Sequence, residues 1–375
     1  MGPLAGIRVI ELAGLGPAPF GAMLLGDLGA EVIRIDRPGA TDLLGLGRLT
    51  CRNRRSIGLN LKDQAGVDVL LDLIETADVV IEGLRPGVVE RLGLSPEVCH
   101  GRNERLIFAR MTGWGQDGPL RDRAGHDINY IAVTGALDAI GPPGGKPTPP
   151  LNLVGDFGGG ALYLAMGILA ALLEREASGR GQVVDAAMVD GAASLMTLFY
   201  ELQALGLWPG SRGTNLLDGG APFYDTYETA DGGWMAVGAL EPQFFAMLVG
   251  QLELSFDPAD QYDRTQWPEL RRLIAAAFLA KDRNEWADEF SASDACVWPV
   301  LSMAEAPDHP LNVGRQVFTR IGGVAQAAPA PRFSRTPADT PGVAPQPGEH
   351  TDEILATIGR DPQQVLGLRD AGVVF

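Results

Sequence analysis

Apolar and polar positions follow two rhythms along the first half of the chain. Short, mostly apolar runs recur at IRVIEL (7–12), EVIRID (31–36), VVIEG (79–83) and LIFARMT (106–112). Such runs, bounded by turn residues, predict buried strands. Between them lie FGAMLLGDLGA (20–30), read as a helix closed by Gly29, and LNLKDQAGVDVLLDLIETAD (59–78). Their apolar residues recur at helical spacing. Residues 151–155 read as a further strand leading into a helix over 158–176 that is apolar on every side, hence enclosed. GQVVDAAMVDGAASLMTLFYELQALG (181–206) then gives one more strand and a long helix. Strands alternating with helices predict an α/β fold, a Rossmann-like large domain with a mostly parallel sheet and right-handed crossovers. Ligands in such sheets lie beyond the carboxyl ends of the strands. Arg37, Arg85 and Trp114 follow predicted strands at that edge.

The rhythm loosens after residue 205. GLWPGSRGTNLLDGGAP (206–222) has linker composition, and YDTYET and WMAVGA flank the turn signal ADGG as a hairpin would. A helical stretch over 241–290 completes a smaller α+β domain. Residues 305–350 are rich in Pro and Ala with little periodicity, and DEILATIGRD closes the chain with one helix. The expected organisation is a large domain over 1–190 and 330–375, a linker over 191–224, a small domain over 225–305 and a second linker over 306–329.

Composition narrows the function classes. The chain has 375 residues, 46% of them hydrophobic, so it can bury a sizeable core and reads as globular rather than disordered. A net charge of −17 argues against nucleic acid or an anionic membrane as partner, since both reward a basic surface. Three scattered cysteines, Cys51, Cys99 and Cys296, make neither a disulfide framework nor a metal site. The chain enters a strand without a signal-peptide pattern, and the apolar run 157–173, with its four glycines, falls short of a membrane span. GVVF at the end matches no common retention signal. A soluble cytoplasmic protein is expected.

Candidate chemistry gathers at few points. GLGPAP (14–19) has Pro19 where a dinucleotide fingerprint needs its third glycine, which leaves only Asp36 to favour NAD. The run RNRR (52–55) suits a phosphate-bearing ligand or a solvated loop equally. Asp156 stands before Phe157 and three glycines at the mouth of an apolar helix. There the free amides stabilise a carboxylate, whether as a simple cap or as a chemical group. The glycines would let a ligand approach the backbone closely. Of four histidines, His309 and His350 sit in Pro-rich connections and His100 ends a polar turn, whereas His126 in RAGHDINY stands with Asp127 and Tyr130 just before an apolar segment. No serine elbow, Walker loop or zinc spacing is present.

Seven blocks, taken together and in order, carry a resemblance: GIRVIELAGLGPAPFGAMLLGDLGAEVIRIDRP, NRRSIGLNLK, EGLRPGVVERLGL, ARMTGWGQDGPLRDRAGHDINY, PLNLVGDFGGGALY, SGRGQVVDAAMVDG and VGALEPQFF. From residue 4 to about 335 the chain resembles the family III CoA transferases, and most of all their α-methylacyl-CoA racemase branch. The resemblance implies that His126 and Asp156 flank the substrate α-carbon and that Glu241 supports His126. It implies that Arg37, Arg54, Arg85 and Arg91 contact the CoA phosphates, with Asp127, Tyr130 and Asn152 bordering the thioester. It implies an interlocked homodimer whose sites pair the large domain of one subunit with the small domain of the other. No metal and no separate cofactor are implied, CoA being part of the acyl-CoA substrate.

On this reading the two groups exchange the α-proton, each serving one enantiomer, and the Asp156 amide holds the enolate oxygen. The alternative within the family is CoA transfer, with Asp156 attacking the thioester as a nucleophile. Transferases there usually carry a glycine-rich loop where VGALEPQ stands here. A non-catalytic acyl-CoA-binding protein would leave His126, Asp156 and Glu241 without a joint purpose.

Overall fold

The computed structural model describes residues 2–39 and 49–375. The chain divides into two compact units, one formed by 1–134, 151–195 and 313–375, the other by 135–150 and 196–312.

The larger unit is built on six parallel strands: β1 (Arg8–Leu12), β2 (Glu31–Asp36), β3 (Arg54–Gly58), β4 (Val79–Glu82), β5 (Ile107–Thr112) and β6 (Val183–Ala187). Their order across the sheet is β3-β2-β1-β4-β5-β6. The chain therefore switches direction between β1 and β4, the place where such sheets open a crevice. Because side chains alternate along a strand, the same runs feed two cores. Val9, Val32, Val79, Ile81 and Ile107 meet helices Pro17–Asp27 and Leu162–Ser178 on one face. Ile10, Ile33, Ile57, Val80 and Phe108 meet helices Gln64–Ile74, Thr351–Thr357 and Pro362–Asp370 on the other.

Local signals explain the helix ends. Pro17 opens the first helix, where its missing N–H costs nothing. Asp63 caps Gln64–Ile74 by accepting from the Ala65 amide at 2.9 Å.

Several expectations change. RRSIG (54–58) is strand β3, because Arg54 and Arg55 find partners in Glu11 and Glu31. Residues 151–155 form no strand. A π-helical segment, Leu153–Ala161, runs on into Leu162–Ser178, making one helix of 26 residues. By length and composition alone that helix could cross a bilayer; here Leu164, Ala165, Ile168, Ala171 and Leu172 bury one face of it in the core.

The span 306–329 is not simply a linker. It contains the antiparallel hairpin Phe318–Ile321 and Val324–Ala327, which Arg52 fastens to the large unit through Gln326 Oε1 (3.2 Å) and the Ala327 carbonyl (2.8 Å). The end of the chain forms two helices rather than one.

The smaller unit has three antiparallel strands, Tyr224–Glu228, Trp234–Gly238 and Val297–Pro299, the last too short to be legible in the sequence. Helices Pro242–Gln251, Trp267–Phe278 and Arg283–Phe290 cover the sheet around an aromatic core. Residues 135–150, read as part of the large domain, belong to this unit. Arg212 holds them there through the Asp138 carboxylate (2.5 Å) and the Gly145 carbonyl (2.8 Å). The expected linker over 191–224 contains helix Thr197–Ala204.

Candidate active site

Asp156 lies in the first turns of the π-helical segment, half-buried. π-segments are rare and concentrate at functional sites. The glycines that permit this one face the protein rather than a ligand. A Cβ at Gly159 would stand 2.6 Å from the Ala192 nitrogen, and one at Gly191 1.8 Å from the Gly159 carbonyl oxygen. Helix Met188–Leu195 thus packs backbone to backbone against the segment, which corrects the expectation that these glycines make room for substrate.

The Asp156 carboxylate has defined neighbours. Asn152 Nδ2 donates to its Oδ2 at 3.2 Å. Gly16, at φ +74° in the loop after β1, brings its backbone so near that a Cβ there would lie 3.4 Å from the same oxygen. Burial pushes the Asp156 carboxyl above the usual carboxylate range, the Asn152 hydrogen bond opposes this, the Asp127 charge adds to it, and the His126 charge opposes it. His126 is joined by one peptide bond to Asp127, whose carboxylate holds the Asp156 amide.

His126 immediately precedes the helix Asp127–Ala132 and is exposed. Its backbone N–H donates to Asn129 Oδ1 at 3.0 Å. Its side chain and that of Asn129 form a capping box at the start of that helix. Asp127, buried, accepts the Asp156 backbone N–H on Oδ1 at 2.6 Å. The amide expected at the enolate oxygen is thus given to a neighbouring carboxylate. Tyr130 is buried too: its hydroxyl donates to the Gly125 carbonyl at 2.5 Å and its ring meets Trp114 edge-on at 4.8 Å. Burial, and then the Asp156 charge, push its phenol up while Arg85 opposes them.

The four expected phosphate arginines divide. Arg37 follows β2, Arg85 follows β4 and Arg91 lies in the short helix Val88–Arg91; all three are exposed, with no ion pair among the described residues. Arg54 is different. Its Nε meets Glu11 Oε2 at 2.5 Å with both side chains fully buried, and its remaining nitrogens donate to the carbonyls of Pro19, Thr50 and Arg52. Arg54 holds the fold and is not free for a phosphate. Only the buried Glu11, 43 residues upstream, could have revealed this, and charge spacing in the sequence does not.

Glu241 belongs to the smaller unit, as the N-cap residue of helix Pro242–Gln251. Its exposed carboxylate does not cap the helix, and its charge raises the Tyr262 phenol and the Cys296 thiol after their burial does. Cys99 is buried and its thiol is pushed up to about 12. Among the described residues no group of three or more His, Cys, Asp or Glu side chains is arranged to hold a metal ion.

Residues 4–351, spanning both units, match the model of CoA-transferase family III. The chain belongs to that family. It is 47% identical to the α-methylacyl-CoA racemase of Mus musculus over 99% of this chain and 97% of that protein. The human α-methylacyl-CoA racemase is 46% identical over the same shares. Among solved structures, a CaiB/BaiF family protein from Brucella suis superposes with a TM-score of 0.82 at 25% identity, covering 95% of this chain and 99% of that one. Arg37 and Arg85 follow strands of the six-stranded sheet in the larger unit, and Glu241 belongs to the smaller.

Proposed function

We infer that the chain is an α-methylacyl-CoA racemase, interconverting (R)- and (S)-2-methylacyl-CoA thioesters. The observation that carries this reading is the bond from the Asp156 amide to Asp127, which ties the half-buried Asp156 to the residue next to His126. A thioester α-hydrogen is too weakly acidic for an ordinary solvated carboxylate. A base on one face and an acid on the other are required.

Starting from one enantiomer, neutral His126 removes the C2 proton and the electron pair passes into an enolate. Protonated Asp156 then delivers its proton to the opposite face of C2. The opposite enantiomer uses the same two groups in exchanged roles, and both return to their starting protonation through solvent. Burial supports this by favouring the protonated form of the Asp156 carboxyl.

Arg37, Arg85 and Arg91 hold the CoA phosphates, and Asn152, Asp127 and Tyr130 border the thioester. Glu241 supports the His126 imidazolium; its exposed carboxylate, which does not cap its own helix, favours this. The chain works as a homodimer. In support, Leu162, Met166, Leu169 and Leu173 recur at spacings of four and three along one helix and are exposed together. Apolar stripes of that kind mark association surfaces.

The reading is tested by incubating the protein with a 2-methylacyl-CoA in deuterium oxide. Deuterium at C2 with loss of optical purity is expected. The contrary result is an unlabelled thioester whose CoA passes to an added carboxylate, with Asp156 trapped by hydroxylamine; that is CoA transfer through Asp156 as nucleophile.

A further inference from the structure

Asp127 occupies a place that neither proton-transfer group explains. It is the first residue of the helix Asp127–Ala132, joined by one peptide bond to His126, and its side chain is only 7% exposed. One carboxylate oxygen accepts the Asp156 amide at 2.6 Å, across 29 residues of sequence, and the other is buried without a hydrogen-bond partner among the described residues. A glycine permits this approach: a Cβ on Gly155 would lie 2.5 Å from Asp127 Oδ1. Asn129 at the His126 amide and Tyr130 at the Gly125 carbonyl hold the same short stretch from its other side.

We propose that Asp127 is a positioning residue, a strut between the start of the His126 helix and the Asp156 backbone that fixes the gap into which substrate C2 must fit. The inference rests on the racemase reading and goes beyond it, since it moves Asp127 from the border of the thioester to the spacing of the two proton-transfer groups. A charge-assisted bond to a main-chain amide is short and directional, and so suits a spacer. Misplacement by about 1 Å is enough to cost about a hundredfold in rate.

The consequence separates two rates that a two-faced reaction normally couples. Exchange of the C2 hydrogen with solvent needs one group on one face. Inversion needs both groups in reach of the same carbon. In Asp127→Ala the gap loses its fixed width, so inversion falls about a hundredfold while exchange with retention falls much less. The ratio of deuterium incorporation to inversion therefore rises roughly tenfold or more, by the same argument.

Asp127→Asn keeps an acceptor oxygen in place and is expected to hold the ratio near that of the parent protein. Gly155→Ala leaves Asp127 intact but displaces its carboxylate, and is expected to reproduce Asp127→Ala. These two variants decide the question if Asp127→Ala does not fold, which thermal melting reports. Removal of the Asp127 charge lowers the Asp156 carboxyl in both Asp127 variants, so the pH–rate profile moves down in both while only the alanine variant changes the ratio.

Exchange and inversion falling in parallel would reduce Asp127 to a general support of the fold. Both rates rising would mean that the Asp156 amide, once released, serves the enolate oxygen, and would also overturn the strut. A parent protein that exchanges no C2 hydrogen at all refutes the racemase reading itself, a result distinct from either of these.

Discussion

The two units bury different material. In the larger one, charge is buried where the strands end: Glu11 in β1, Asp36 in β2, Glu82 in β4 and Arg110 in β5, with Arg54 reaching Glu11 from β3. In the smaller one, Phe223, Phe245, Phe278, Trp286 and Phe290 fill the core, with ring pairs such as Phe223–Phe245 at 5.6 Å. Among the described residues every buried charged side chain belongs to the larger unit; the buried polar residues of the smaller are Asn215, Thr229 and Gln261. Buried ion pairs are a weak source of stability, since desolvation consumes most of their attraction. Their confinement to one unit means that its core holds polar groups in fixed places, as in the pairs Arg54–Glu11, Arg52–Asp27 and Arg110–Glu82. The aromatic unit is stabilised by apolar packing and presents Glu241 on its surface.

The sharpest way to break this contrast is to disturb each core in its own currency. Arg54→Ala leaves Glu11 buried and unpaired, and is expected to lower stability by about 3–5 kcal/mol. Adding Glu11→Leu should recover part of that loss, because no unpaired charge then remains. Phe278→Ala costs a similar amount, about 3–5 kcal/mol, through its cavity, and no second deletion should recover it. Denaturant melts of the four proteins test the contrast; a single Arg54 variant as stable as the parent would contradict it.

The exposed arginines should behave in the opposite way to Arg54. Arg85→Ala is expected to leave stability within about 0.5 kcal/mol while raising KM for the acyl-CoA roughly tenfold, as loss of one charge-assisted bond would. Steady-state kinetics beside a melt separates the two effects. An unchanged KM would remove Arg85 from the phosphate site.

The smallest effect concerns Asn152. Its hydrogen bond lowers the Asp156 carboxyl against the pull of burial, so Asn152→Ala should raise it further. In the direction that uses Asp156 as base, the acidic limb of the pH–rate profile then moves to higher pH. A limb that stays in place, or moves down, would contradict the assignment.

How much of this was legible in the sequence follows from where each partner lies. β1, β2, β4, β5 and β6 and the hairpin Tyr224–Gly238 announce themselves through their own residues, by apolar runs between turn signals. β3 does not, because Arg54 and Arg55 are tolerated in a strand only by carboxylates far upstream. LNLVG reads as a strand, yet glycines packed against helix Met188–Leu195 wind it into a wide helical turn. The hairpin Phe318–Ala327 hides in Pro- and Ala-rich surroundings because its anchor, Arg52, is 274 residues from Gln326.

At the site, residue types and family resemblance lead to His126, Asp156 and Glu241. They could not foresee that Asp127 takes the Asp156 amide or that Glu11 takes Arg54, since both depend on contacts made only by the fold.

The central claim is that His126 and Asp156 serve opposite faces of one carbon. It is tested most directly with Asp156→Asn, given (R)- and (S)-2-methylacyl-CoA separately in deuterium oxide. Deuterium should enter one enantiomer, with its configuration kept, through the surviving His126, while the other enantiomer stays unlabelled and inversion stops. Equal labelling of both enantiomers, or inversion at the parent rate, would contradict the account.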